Sequence, residues 1–161
     1  MRCTLTALGV ALILVGFTSS GRPDSSRSPL RIQLQTYLQG DELWVALLLN
    51  NRSDTPVYLN KIDIGMSSQL LNSLFVIKQK QQDLAYRGPL VKRRSPTAVD
   101  FVLLKPKQSV QTKIRLDKAY AFKPGKHRYS IQYKQYHSSP LDPALLTEFT
   151  SAVHHFTYTF P

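Results

Sequence analysis

The sequence predicts an all-β fold, an antiparallel immunoglobulin-like β-sandwich. Period-two alternation of apolar and polar residues recurs in short segments along its 161 residues. Clusters of Gly, Pro, Asn, Asp and Ser interrupt it about every ten residues. No stretch keeps a long 3.6-residue period. Roughly eight or nine short strands separated by turns are the pattern of a sandwich.

The elements follow in order. In LRIQLQ, Leu30, Ile32 and Leu34 fall on one face and Arg31, Gln33 and Gln35 on the other, a half-buried strand. Gly40-Asp41 turns the chain into a run from Leu43 to Leu49 that is apolar at every position. It reads as a central strand covered on both faces, with Trp44 as a core anchor. Asn51–Pro56 is a turn cluster, and Val57, Leu59 and Ile62 suggest a third strand. Gly65–Ser73 reads as loop with one helical turn. Leu74–Gln79 is a strand, and KQQDLAY suits a hairpin.

Val99–Leu104 is a further apolar strand, and Lys105–Ser109 a turn. VQTKIRL alternates Val110, Thr112, Ile114 and Leu116 against Gln111, Lys113 and Arg115. Pro124-Gly125 turns again, and Tyr129, Ile131 and Tyr133 then share a face. ALLTEF reads as a short helix and AVHHFTYTF as the last strand.

Leu5–Phe17 is an apolar run behind one cation, Arg2, with small residues after it. That is the form of a secretory signal peptide, residues 1–20, cut near Ser20 or Gly21; an uncleaved anchor is the alternative. Phe17 stands where a lipoprotein signal would need cysteine. Residues 21–29 form a polar flexible leader, and 30–161 form one sandwich domain. The chain is expected to be exported, periplasmic or secreted. Its one cysteine, Cys3, lies in the segment to be removed, so the mature domain is expected to hold no disulfide.

The sequence has 21 Lys+Arg; without Arg2 the mature chain keeps 20 against 10 Asp+Glu, a formal charge of +10. Such a surface favours anionic partners: an acidic protein, an acidic polysaccharide or lipid headgroups. Nucleic acid is not the expected partner of an exported chain.

Groups for catalysis are missing from the sequence pattern. There is no His-Glu-x-x-His and no Gly-x-Ser-x-Gly, and the seven glycines form no phosphate loop. His154 and His155 are adjacent and point to opposite faces of a strand, which disfavours shared metal ligation. His127 and His137 are expected on faces or edges like them. Asp100 and Asp117 sit beside cations and suit ion pairs. Asn51-Arg52-Ser53 matches a glycosylation sequon, a short and weak signal. The chain is therefore expected to be no enzyme, with no catalytic residue, no metal and no cofactor.

A binding surface remains. In YRGPLVKRRSPTAVDFVLLKP, Lys92, Arg93 and Arg94 stand on a loop bounded by Pro89 and Pro96. The prolines restrict the unfolded chain and lower the entropic cost of presenting the loop. The three cations stay hydrated unless an anionic pocket receives them. A solvated turn between strands is the plain alternative.

Tyr86–Tyr133 resembles the amino-terminal, non-catalytic domain of bacterial lysine-specific zinc endopeptidases of the deuterolysin-like (aspzincin) group. The resemblance rests on several pieces in order. They are Tyr-x-Gly-Pro-Leu-Val-Lys-Arg, Pro-Thr-Ala with Asp100 two residues on, Leu-x-Pro-x-x-Ser-Val, Leu-Asp-Lys-Ala-Tyr, and Pro-Gly-x-x-x-Tyr-x-Ile-x-Tyr. LLLNNRSDTPVYL resembles that domain's early turn, so the likeness covers roughly residues 30 to 136.

The resemblance implies a propeptide-like sandwich that helps a protease fold or covers its cleft. Only 25 residues, His137–Pro161, follow Tyr136, and they carry no zinc motif, so peptidase activity does not carry over. What the resemblance implies is an inhibitor or folding helper acting on a secreted zinc metalloprotease. Lys92 would fill an acidic specificity pocket while Arg93 and Arg94 steer association. The loop's sequence serving only to pack the sandwich is the rival reading. Two other functions stand beside it: an envelope-associated module weakly holding anionic polymer or lipid, and the remnant of a truncated protease.

Overall fold

The computed structural model describes residues 28–67, 70–92 and 94–161; the expected signal peptide, most of the leader and Arg93 lie outside them. Ten strands occur among the described residues. They are β1 (Leu30–Gln39), β2 (Glu42–Asn51), β3 (Val57–Asn60), β4 (Phe75–Gln79), β5 (Gln82–Asp83), β6 (Phe101–Leu104), β7 (Ser109–Arg115), β8 (Gly125–Ser138), β9 (Leu146–Thr150) and β10 (His154–Phe160). A single 3₁₀ turn, Ala98–Asp100, is the one helical element described.

Every pairing is antiparallel. One sheet has the order β1-β2-β7, and the other β10-β8-β4-β5 with β9 also on β8. In immunoglobulin lettering these are A-B-E and G-F-C-C′. β3 and β6 form a separate two-stranded ribbon.

The β1–β2 hairpin closes on two residues. Gly40 has φ +61°, and a II′ turn places glycine at that first position because a Cβ is strained there. Along β2, burial alternates strictly: Leu43, Val45, Leu47 and Leu49 are buried, Trp44, Ala46 and Leu48 only half-buried. The all-apolar run is thus one core face and one partly wet face. Trp44 lies outside the core, contrary to the expectation that it anchors it; its indole N–H reaches Glu42 Oε2 at 3.1 Å.

Val45, Leu47 and Leu49 share one core with Tyr129, Ile131 and Tyr133 of β8, all at 0–1% exposure. Removing each such leucine from water contributes roughly 1.5–3 kcal/mol. β7 buries Thr112 and Ile114 with Leu116 just beyond it, as its alternation predicts.

β8 is the spine of the second sheet. β4 lies on one side; β10 and then β9 follow one another on the other side. Residues 151–153 interrupt that outer strand as a bulge. Ser151 repairs the ladder there: its N–H donates to Tyr133 O at 3.0 Å, and its hydroxyl accepts Tyr133 N–H at 3.0 Å.

ALLTEF is a strand, not the expected helix. Pro140 and Pro143 precede it, and only Phe149 of β9 is buried, so no helical stripe exists to pack. Phe149 instead meets the ring of His137 at 5.2 Å. His137 itself is 2% exposed, a core residue rather than the surface or edge histidine the sequence suggested. The Tyr133 hydroxyl donates to Asp63 O at 2.7 Å, so His137 Nε2, also 2.7 Å away, is the donor to that hydroxyl.

Asn51 of the sequon is fully buried. Its amide donates to Thr55 O and Leu104 O at 2.8 and 2.9 Å, and its oxygen accepts from Ser53 N–H and Oγ. The motif is the internal brace of a turn, with no room for a glycan.

Candidate functional site

The loop between β5 and β6 is fastened at both ends. At its start, Arg87 N–H donates to Ala119 O at 2.8 Å and Tyr86 bridges to Tyr120. The Tyr86 ring stands edge-on to Tyr120, centroids 5.4 Å apart. Its hydroxyl faces two carbonyls, Leu70 O at 2.8 Å and Pro89 O at 3.1 Å. Burial raises the Tyr86 pKa above the usual tyrosine value, so the hydroxyl stays protonated and able to donate.

Glycine is required next to this ring. A Cβ on Gly88 would come 2.4 Å from the Tyr86 hydroxyl oxygen. The chain thus folds tightly over the tyrosine before it reaches Pro89.

At its far end the loop closes on Asp100. One carboxylate oxygen accepts from Thr97 N–H at 2.7 Å and from its hydroxyl at 3.0 Å; the other pairs with Arg94 Nη2 at 2.9 Å. These bonds, the Thr97 N–H foremost, hold the Asp100 carboxyl below its ordinary range.

The expected site residues therefore divide. Lys92, Arg94 and Pro96 line one cleft of about 390 Å³, together with Asp100, Asp63 and Tyr136. Arg94 is committed to Asp100, whereas Lys92 is exposed and makes no hydrogen bond or ion pair among the described residues. Pro89 lies apart, in the wall of a different cleft. Arg93 is outside the described residues.

Sequence reasoning missed the apolar residues beside the cations. Leu90 is 79% exposed and Leu146 is 60% exposed, with Val91 and Tyr136 also open. Val91, Tyr136 and Leu146 line the same cleft as Lys92. The available signal was the Leu90-Val91 pair, an apolar step with no strand alternation to bury it. β9, on the far rim, pairs only with β8 among the described residues and so presents an edge. Around it, Glu148 accepts from the Tyr136 hydroxyl at 2.8 Å and pairs with Lys134 at 3.1 Å. Those bonds lower the Glu148 carboxyl and raise Tyr136 and Lys134.

A cation-presenting loop, an open apolar rim and a free strand edge together make a surface suited to another macromolecule. Comparison with known proteins gives one direction. No protein-family model matches the chain. The chain is similar to an extracellular protease of Aeromonas hydrophila, 30% identical over 131 residues. That stretch is 80% of this chain but 36% of the relative, so the chain spans about a third of that protein's length. Among the described residues no helix is long and apolar enough to cross a membrane.

Proposed function

We propose that the chain is an exported, non-catalytic domain that binds a secreted protease as a propeptide does, inhibiting it or helping it fold. The construction of the 86–100 loop carries this reading: it is tied down by Tyr86 and by Asp100, yet it leaves Lys92 open beside Leu90 and Val91. A loop tied at both ends loses less entropy on binding than a free one.

The resemblance to the domain preceding lysine-specific zinc endopeptidases supplies the role of Lys92. Such a protease needs an acidic pocket for its substrate lysine, and Lys92 enters it as a substrate mimic. Inhibition follows if the loop sits there without aligning a peptide bond for attack. The relative's greater length also supports the reading: most of that protease lies outside the stretch matched here.

The test uses a lysine-specific zinc endopeptidase with the purified chain added in trans. Slower cleavage of a lysyl substrate, or a higher yield of activity on refolding the denatured protease, is expected. If neither rate nor yield changes at micromolar chain, the reading fails.

A further inference from the structure

A second cleft, of about 430 Å³, opens at the β7 edge of the β1-β2-β7 sheet, where Gly65, Leu70 and the Gly88-Pro89 start of the Lys92 loop form its other wall. Its lining includes Trp44, Lys113, Arg115 and Lys118. Strand register explains the grouping. Tyr37, Trp44 and Arg115 stand in one row across the sheet, and Gln35, Ala46 and Lys113 in the next row on the same face. Ala46, two residues from Trp44, is too small to cover the indole. Further along, Gln33, Leu48 and Gln111 form another outward row.

The charges in the cleft are already sorted. Arg115 pairs with Glu42 and, at 2.8 Å, with Asp117, so it is held in place and both acids are occupied. Asp117 also accepts Leu43 N–H at 3.2 Å, and Glu42 also holds the indole N–H of Trp44. Lys113 and Lys118 are exposed and form no ion pair among the described residues. What is left for a ligand is an oriented indole, two uncommitted ammonium groups and a neighbouring strip of side-chain amides.

We propose that this cleft binds an acidic polysaccharide, with the Trp44 ring against a pyranose face and Lys113 and Lys118 pairing with its carboxylates or sulfates. Aromatic rings pack against the apolar C–H face of a sugar, and ammonium groups favour anionic ones. Gln35, Gln33 and Gln111 extend the face with paired donors and acceptors suited to hydroxyls of a longer chain. Bases stack on indoles as well, but the amide strip favours a hydroxyl-rich polymer over nucleic acid.

Trp44 is the one tryptophan of the sequence, so intrinsic fluorescence reads this cleft directly. The purified protein is titrated with oligogalacturonate, sulfated oligodextran, neutral dextran and single-stranded DNA of similar length. A saturable emission change is expected with at least one acidic sugar, and binding at least ten-fold weaker with neutral dextran. The two acidic sugars separate carboxylate from sulfate recognition. A Lys113→Gln/Lys118→Gln variant should bind at least ten-fold more weakly. A Lys105→Gln/Lys107→Gln variant, which removes the same charge at the turn before β7, should bind within two-fold of the parent. Circular dichroism checks that both fold. No saturable change with either acidic sugar, equal losses in both variants, or tighter binding of DNA than of either sugar would overturn the proposal.

Discussion

Arg94 Nη2 sits 2.9 Å from Asp100 Oδ1, while Asp100 Oδ2 holds the backbone N–H of Thr97 at 2.7 Å. One carboxylate therefore fixes both the cation and the backbone at the end of the presented loop. Asp100 titrates below its ordinary range in the folded chain. Its contribution is thus complete above the range of an unfolded aspartate and is lost as pH falls through the lower, folded value. Protection of the amides across residues 94–100, measured against the intrinsic exchange rate at each pH, should fall several-fold on acidification or in Asp100→Ala, with β2 and β8 unchanged. Equal protection in the variant would show that the clip does not order the loop.

The opposite end depends on Tyr86. Tyr86→Phe removes the donor to Leu70 and Pro89 and should cost about 1 kcal/mol. Gly88→Ala forces the hydroxyl aside and should cost about 1–3 kcal/mol. Chemical denaturation measures both. Gly88→Ala as stable as the parent would mean that the Tyr86 ring moves aside without loss.

Ser151 stands in for a missing rung between β8 and its outer neighbours. Ser151→Ala leaves the buried Tyr133 N–H without that acceptor, a loss of about 1–3 kcal/mol in unfolding free energy. A midpoint shift too small to resolve would indicate that another group takes the proton.

Asn51 makes a different kind of prediction. Its four hydrogen bonds lie inside the turn that joins β2 to β3. Asn51→Ala should destabilise the protein by on the order of 3 kcal/mol. Mass spectrometry of the protein made in a glycosylating host should find no glycan at this position. A glycan there on folded protein would contradict the burial.

Much of the fold was legible because antiparallel strands announce themselves by alternation. Tyr129, Ile131 and Tyr133 alternate onto one face, and all three are buried. The misreadings have physical causes. Every residue from Leu43 to Leu49 is apolar, so period alone could not say which face of β2 is core; pairing with β1 and β7 decides it. ALLTEF has helix-forming residues, and β9 exists only because β8 extends far enough to pair with it. His137 is invisible as a core residue until that extension brings Phe149 across it. The loop cations were conspicuous, but their division was not: Arg94 is tied by an acid six residues away, while Lys92 is left open. Trp44 lies on β2, far in sequence from Lys113 and Lys118 on β7 and the turn after it, and only the β2–β7 register brings them to one cleft.

The most direct test of the protease-binding role is an inhibition constant for Lys92→Ala. The purified chain, this variant and a Lys126→Ala control are assayed against a lysine-specific zinc endopeptidase at two ionic strengths. A packed interface persists in salt, whereas attraction by charge alone fades. The expected result is inhibition that survives salt, weakens at least ten-fold in Lys92→Ala and is unchanged in the control. Equal inhibition by all three proteins, or none by any, would contradict it.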